Sequence, residues 1–503
     1  MSATGKGVII GGGIGGLVTS ILLASRGFNI TLLEKNETLG GKLQQVKLGA
    51  YAFDFGPSTL TMPWIFEKVF EAAGEPLDPE LHFLKLDVNS RNHFEDGSVI
   101  DLSTDPDRMQ EQLSTFSADD RKGFQRYLQE VKRIYTIAEE QFFSRSFAGW
   151  QDYVSPKLGV ALLSVHPFTA MDAFHRRFFR DPRLLAMMNR YATYVGSSPG
   201  QTPATLSMIA YLELIRGVYY LKGGNYKLIE VLERLARKAG VTIRKGAVTE
   251  RIEHKRGTVL GVQAAGMRFE ADFVVSNVDV HTTQKLLYDQ PQQSRASLSS
   301  SGFLCLLGLK KPMTGLHHHN LFFPKDYGSE FADMFDAGCW PSSPALYVCN
   351  SSYSEPERGG LNGAGSNLYV LTNVPALAKT PSSPLKQLSV QEIRAYRAFI
   401  LNRLADCLKL DTIEPLIEEE AIYTPQSIAD QTGAFAGALY GNASHGWGPT
   451  FFRPSLADRK VQGLYYVGGT THPGGGTPMV TLSGIQAAEL ISARHRKKTR
   501  TAL

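Results

Sequence analysis

Long apolar runs are missing from this sequence, and no stretch is long enough to span a bilayer. Cysteine is scarce: Cys305, Cys339, Cys349 and Cys407 are the four in 503 residues. None forms a CxxC pair, which argues against zinc or iron–sulfur ligation. So few thiols in so long a chain fit a reducing compartment. Neither sign of charge is in large excess, the formal net charge being +5. A nucleic-acid binder would cluster basic residues on one surface. The single dense basic run here is the tail, Arg494 to Arg500, which reads as a solvated, frayed end rather than a contact for anionic lipid headgroups. No internal repeat, no low-complexity segment and no Ser/His/Asp or Cys/His arrangement stands out in chain order.

The chain is otherwise that of an ordinary globular protein, 43% hydrophobic and 20% charged. Its length exceeds what one core holds, so two or three sub-domains are expected. Residues 8–24 superficially resemble the apolar stretch of a secretory signal, but glycines interrupt them and a polar strand-end motif follows. They are read as structure.

Residues 8–10 (Val-Ile-Ile) predict a short buried strand, residues 11–16 a glycine turn opening a helix to about Ser25, and residues 30–34 the next strand. This is half of a doubly wound sheet. Asp96-Gly97 marks a hairpin within residues 93–100. Helical patterning dominates from Pro106 to Arg216, with Ser117 as a helix N-cap. A helix over residues 226–238 and strands at 242–244, 258–263 and 273–276 follow, the last ending in Asn277. A buried strand at 464–467 enters the glycine-rich loop 468–476, with a helix expected from Ser483.

Gly11-x-Gly13-x-x-Gly16 follows a strand and opens a helix. Gly11 permits the tight turn, Gly13 lets backbone approach a pyrophosphate, and Gly16 lets the helix pack on the sheet. The helix N-terminus offers free N–H groups to phosphates. Glu34 ends the second strand, where an acid accepts hydrogen bonds from a ribose hydroxyl. Two features favour FAD over NAD. Gly40-Gly41-Lys42 sits just after the acid, where Gly41 allows close approach and Lys42 can meet a phosphate. The loop from Gly468 to Val480 resembles an element that caps a flavin ring through backbone N–H groups. Only one strand-linked GxGxxG is present, so a built-in NADPH site is not expected, and electrons would leave for O₂, a quinone or another external acceptor.

With Phe53-Asp-Phe-Gly56-Pro57-Ser58, Asn277 and the Thr471-His-Pro-Gly-Gly-Gly476-Thr-Pro478 signature added, the chain resembles the carotenoid desaturase and oxidase family, related to the amine oxidase flavoproteins. Residues 56–63, 194–198, 318–323 and 478–484 are most similar to its diaponeurosporene oxygenase branch. The resemblance implies an α/β fold: a Rossmann-type FAD-binding domain with an inserted mixed-sheet substrate domain and a helical, membrane-associating region. The expected division is 1–85, 221–290 and 456–503 for FAD binding, 86–105 for a substrate-domain hairpin, 106–220 for the helical region and 291–455 for the substrate domain. It implies that Gly11, Gly13 and Gly16 hold the pyrophosphate, Glu34 the ribose and Lys42 a phosphate edge. Val248 or Thr249, in a strand over 246–249, would meet adenine through the backbone, and Gly469, Pro478 and Met479 would line the flavin.

The implied reaction is oxidation of the terminal methyl of an acyclic C30 carotenoid to an aldehyde or acid; a desaturase introducing double bonds and a carrier lacking FAD are the alternatives. A polyene needs an apolar tunnel. Phe142, Phe143, Phe147, Trp150, Phe168, Phe174, Phe178 and Phe179, taken singly, are ordinary core aromatics. As a set beside Arg176, Arg177 and Arg180 they suit a helix dipping into a membrane interface. The expected location is cytoplasmic, on the inner face of the cell membrane. His317-His318-His319 is set aside as a metal site because three adjacent side chains do not readily converge on one ion. His472 is the candidate catalytic side chain, orienting substrate or relaying a proton, with loop bracing as the equal alternative. The reading assigns a carotenoid substrate, an O₂ or quinone acceptor and a membrane surface as partners, no nucleic acid, no metal, and no particular oligomeric state.

Overall fold

The structure is a computed structural model that describes residues 5–143, 145, 155–288, 297–377 and 388–502, with side chains to 497 in the last helix. A five-stranded parallel sheet forms its base, in the order Leu464–Tyr466, Phe273–Ser276, Lys6–Ile10, Asn29–Leu33, Thr242–Arg244. The central strand is buried on both faces: Ile9 packs on the helices, and Val8 and Ile10 pack on the three-stranded sheet Thr249–Lys255, Thr258–Ala264, Met267–Glu270. The helix Ile14–Ala24 is buried over ten consecutive residues, Ile14 to Leu23. It is enclosed by Lys227–Lys238 and the C-terminal helix Thr477–Ala502. Lys227–Lys238 buries Leu228, Ile229, Val231, Leu232, Leu235 and Ala236, a stripe at helical spacing.

Facing this base is a mixed seven-stranded sheet ordered Ile417–Tyr423, Ser301–Leu309, Ser366–Val374, Leu346–Asn350, His319–Phe322, Ser90–His93, Val99–Leu102. The last two strands are the Asp96-Gly97 hairpin, Ser90 pairing with Leu102 and His93 with Val99. Alternation splits the sheet's side chains between two layers. Phe303, Cys305, Leu307, Val348 and Val370 pack outward on the helix Val390–Leu408. Leu304, Leu306, Cys349 and Tyr369 point the other way, onto Tyr51, Phe53 and Phe55.

The described residues between 106 and 216 form a helical cap. Ser117 caps Ala118–Ala138, its hydroxyl accepting from the Asp120 N–H at 3.1 Å. Phe174 and Phe179, placed above among possible interfacial aromatics, are 1% and 0% exposed and surround Tyr127 in the cap core. Phe142, Phe143 and Phe178 are half-buried, and only Phe168 of the described members is largely exposed. Phe147 and Trp150 lie outside the described residues. Among the described residues no helix is long and apolar enough to cross a membrane.

Two expectations at the C-terminus are corrected. The last helix begins at Thr477, six residues before Ser483, because Pro478 occupies the first turn, where its missing N–H costs nothing. The tail is helical to Ala502 rather than frayed. His495 packs edge-on against Phe28, and the Arg494 guanidinium lies over the Tyr465 ring at 5.6 Å.

Candidate functional site

The N-terminal turn is built for close backbone approach. Gly11 has φ +95°, and a Cβ at Gly16 would stand 2.1 Å from the Gly11 carbonyl oxygen. The helix opens at Gly13 with no side-chain cap and no acid in its first turn, so its first N–H groups face outward for an anion. Gly40 donates to the Gly12 carbonyl at 2.9 Å, and a Cβ at Gly41 would be 3.4 Å from the Gly13 Cα. Glu34 is 4% exposed and accepts from the Gly12 N–H at 2.7 Å and the Asn36 N–H at 2.9 Å. Strand, turn and acid are therefore one rigid unit.

Asn277 joins this unit to the C-terminal loop. Its amide donates to the Gly11 carbonyl at 3.2 Å. Added Cβ atoms at Gly13, Gly15 and Gly468 would each fall within 3.0 Å of its side chain. The Gly468 N–H donates to Ser483 Oγ at 3.1 Å, and a Cβ at Gly469 would be 3.4 Å from the Gly475 Cα. Pro478 and Met479 lie in the first turn of the last helix, and Met479 packs on the cap cluster containing Met62, Met188 and Tyr191.

Other expected contacts are placed differently. The segment expected as a strand over 246–249 is a loop until Thr249, where the strand Thr249–Lys255 begins. Ala247 donates to the Glu34 carbonyl at 2.7 Å, and the Val248 carbonyl accepts from Ala265 at 3.1 Å. Backbone at Val248 thus sits beside the ribose-binding acid. The Lys42 ammonium donates to the Leu439 carbonyl at 2.6 Å. Burial lowers its pKa, and Asp279 opposes that shift. Asp279, two residues after Asn277, was not singled out from sequence; its Oδ2 is buried and unmatched. The His472 ring faces the Phe142 and Arg145 backbone carbonyls, and burial takes its pKa down to about 4. A neutral ring held by carbonyls braces the loop against the cap and is poorly poised to carry protons near neutral pH.

Between base, cap and upper sheet lies a second group of residues. Asn225 donates to the Ser58 carbonyl at 2.9 Å and fixes the Gly56-Pro57-Ser58 turn. Ser58 Oγ is 2.6 Å from Tyr347 Oη, which is 2.7 Å from His319 Nδ1. The argument against convergence of the histidines holds for His317, which lies against Tyr353, but not for its neighbours. His318 precedes the strand, so strict alternation does not apply, and its ring meets that of His319 at 4.6 Å. Donor atoms of His318, His319 and Cys349 fall within 4.8 Å of one another. Burial pushes the Cys349 thiol up to about 12. In the cap, Glu213 accepts from Arg190 at 2.7 Å and from Tyr194 at 2.5 Å. Sequence reasoning found none of these partners, because each pair is separated by 19 to 289 positions.

A helix N-terminus without a side-chain cap, a glycine cradle that side chains would fill and a buried acid at the end of the second strand fit a dinucleotide cofactor. The site defines an FAD-dependent oxidoreductase. The chain belongs to the flavin containing amine oxidoreductase family, whose pattern matches residues 14–305. It is 34% identical to the 4,4'-diapolycopene oxygenase of Methylomonas sp., covering 95% of this chain and 96% of that one. It is 32% identical to the 1-hydroxycarotenoid 3,4-desaturase of a Flavobacterium, at 97% and 99% coverage. Against the 4,4'-diaponeurosporene oxygenase of Staphylococcus haemolyticus it is 31% identical, at 98% of each. The fold matches that of an oxidoreductase from Methanosarcina mazei, with TM-score 0.64, 15% identity and coverage of 96% and 100%.

Proposed function

We propose that this chain oxidises the terminal methyl group of an acyclic C30 carotenoid, diaponeurosporene or diapolycopene, to an aldehyde or acid. The observation that carries the reading is the 34% identity over nearly the whole of both chains to a protein named 4,4'-diapolycopene oxygenase. The residues supply what such a substrate needs. Met62, Ile65, Met188, Tyr191, Leu321 and Met479 belong to one apolar cluster between base, cap and sheet, the kind of surroundings that desolvate a polyene. FAD, when bound, would supply the two-electron acceptor. The protein's part is to exclude water, hold the polyene's end and fix the cofactor through Gly13, Glu34 and Asn277. Electrons then pass to O₂ or a quinone.

A second reading is a desaturase, favoured by the 32% identity to a 1-hydroxycarotenoid 3,4-desaturase. Both activities use the same cradle, so product chemistry separates them. The test is incubation of the flavin-loaded protein with diaponeurosporene and diapolycopene in liposomes under labelled O₂, followed by mass analysis. Oxygen on a terminal carbon is expected. New double bonds without oxygen would establish the second reading instead.

Polyenes reside in bilayers, and the surface offers a place to meet one. Phe168 and Trp447 are in edge contact at 5.7 Å, and Trp447 meets Phe452 at 5.3 Å. With Val160 and Leu163 on the preceding helix they are 44% to 70% exposed. Trp and Phe with one apolar side out suit the interfacial layer of a membrane. This candidate surface keeps Phe168 of the expected set and leaves out Phe174 and Phe179, which are buried in the cap core.

A further inference from the structure

Beside the apolar cluster, reached through Tyr347 that packs on it, lies a buried polar group that the cofactor cradle does not use. His319 is 2% exposed. Its Nδ1 ends a hydrogen-bonded chain through Tyr347 Oη to Ser58 Oγ. Its other nitrogen, Nε2, is buried and has no partner. Arg190 comes from the cap and is 3% exposed. Its guanidinium donates to Glu213 at 2.7 Å, Tyr194 at 3.1 Å and Ser90 at 3.4 Å, while Nε has no partner. Ser90 and His319 are neighbours across adjacent strands, since Arg91 pairs with Asn320. Two buried nitrogens without partners therefore come from the cap and from the sheet, and the Arg190 charge is near enough to lower the His319 pKa.

Buried polar atoms are nearly always matched, and an unmatched one is costly unless a ligand completes it. A purely hydrocarbon substrate would leave both nitrogens unmatched. Arg Nε–H can only donate. Burial, with Arg190 and His318 nearby, holds the His319 ring neutral. When Ser58 and Tyr347 donate along the chain, Nδ1 accepts and Nε2 carries the hydrogen. Both nitrogens are then donors, which suits an oxygen acceptor. The alternative tautomer presents a lone pair, which suits a hydroxyl.

We propose that His319 Nε2, with Arg190 beside it, binds an oxygen at one end of the polyene. The site therefore prefers polyenes that already bear a terminal alcohol or aldehyde over the parent hydrocarbon. This rests on the carotenoid reading and adds to it the polar group recognised. It gives the protein a means of retaining a partly oxidised chain end, where a wholly apolar tunnel would release it.

The test is titration of the flavin-loaded protein with three C30 polyenes of equal length, ending in a methyl, an alcohol and an aldehyde, followed by the visible band of the polyene. The wild type is expected to bind the oxygenated pair about five- to tenfold more tightly than the hydrocarbon, the worth of one buried hydrogen bond. His319→Phe keeps a ring but removes the nitrogens and should erase that preference while changing hydrocarbon affinity less than about twofold. Tyr347→Phe, which breaks the chain but leaves the histidine, should reduce it. Flavin absorbance and thermal midpoint establish that both variants fold. Equal affinities for all three ligands in the wild type, or a preference that survives in His319→Phe, would overturn the subsite alone. Failure of every polyene to bind would overturn the carotenoid reading and the subsite with it.

Discussion

Glu34 has one carboxylate and two tasks. Its oxygens hold the Gly12 and Asn36 N–H groups, and the same group is the one proposed to accept from a ribose hydroxyl. Glu34→Ala is expected to weaken FAD binding about tenfold or more, since hydrogen bonds to charged groups contribute roughly 1.5–3 kcal/mol. Flavin titration of the apoprotein measures it, and unchanged affinity would remove the assignment. A different residue gives a pH dependence. Glu330 is fully buried, accepts from the Ala345 N–H at 2.7 Å and Asn373 Nδ2 at 2.9 Å, and burial pushes its pKa up to about 7. A carboxyl whose pKa is raised on folding binds a proton more tightly in the folded state. Its contribution is full below about pH 4.5 and is lost as pH rises through about 7. The Glu330→Gln protein should therefore gain stability relative to wild type between pH 5 and pH 8, by at most about 3 kcal/mol, seen as a rising difference in thermal midpoint. A difference that stays flat with pH would contradict the shifted titration.

Among the elements, the glycine turn and the last helix depend on each other through Asn277. A Cβ at Gly13 would meet the Asn277 amide at 2.9 Å, and a longer side chain would fill the pyrophosphate position. Gly13→Val is expected to give a soluble, partly folded protein without flavin, and a fully yellow preparation would exclude this role for the turn. The strand, turn, helix and acid were legible from residues 8–34 because local periodicity and glycine spacing define them within one βαβ unit. The start of the last helix was misread by six residues because a proline after a glycine loop reads as a breaker, although in the first turn it is permitted. The strand expected at 246–249 failed for another reason. That segment is tied down by Ala247 and Val248 hydrogen bonds to Glu34 and Ala265, not by a neighbouring strand over its own length.

On the scale of the whole molecule, the exposed cluster Phe168, Trp447 and Phe452 joins the cap to the short helix Trp447–Phe451, almost 280 positions further on. The flavin-loaded protein should sediment with liposomes and be released by detergent. Phe168→Ser combined with Trp447→Ser should lower the bound fraction roughly tenfold, on the basis of the apolar area withdrawn from water. Sedimentation that ignores both substitutions would place membrane contact elsewhere.

The sequence by itself determined the nucleotide-binding unit, the hairpin at Asp96-Gly97, the Ser117 cap and the position of Asn277 at a strand end. Each rests on spacing within a short stretch or on a strand end that the unit requires. Only the tertiary structure decided which aromatics are core and which are surface, since Phe168 and Phe174 sit in similar local patterns but only one meets Tyr127. It also decided the Ser58–Tyr347–His319 chain and the Arg190–Glu213 pair. A hydrogen bond depends on distance in space, and nothing in the local sequence of either partner records which distant element the fold will bring within 3 Å of it.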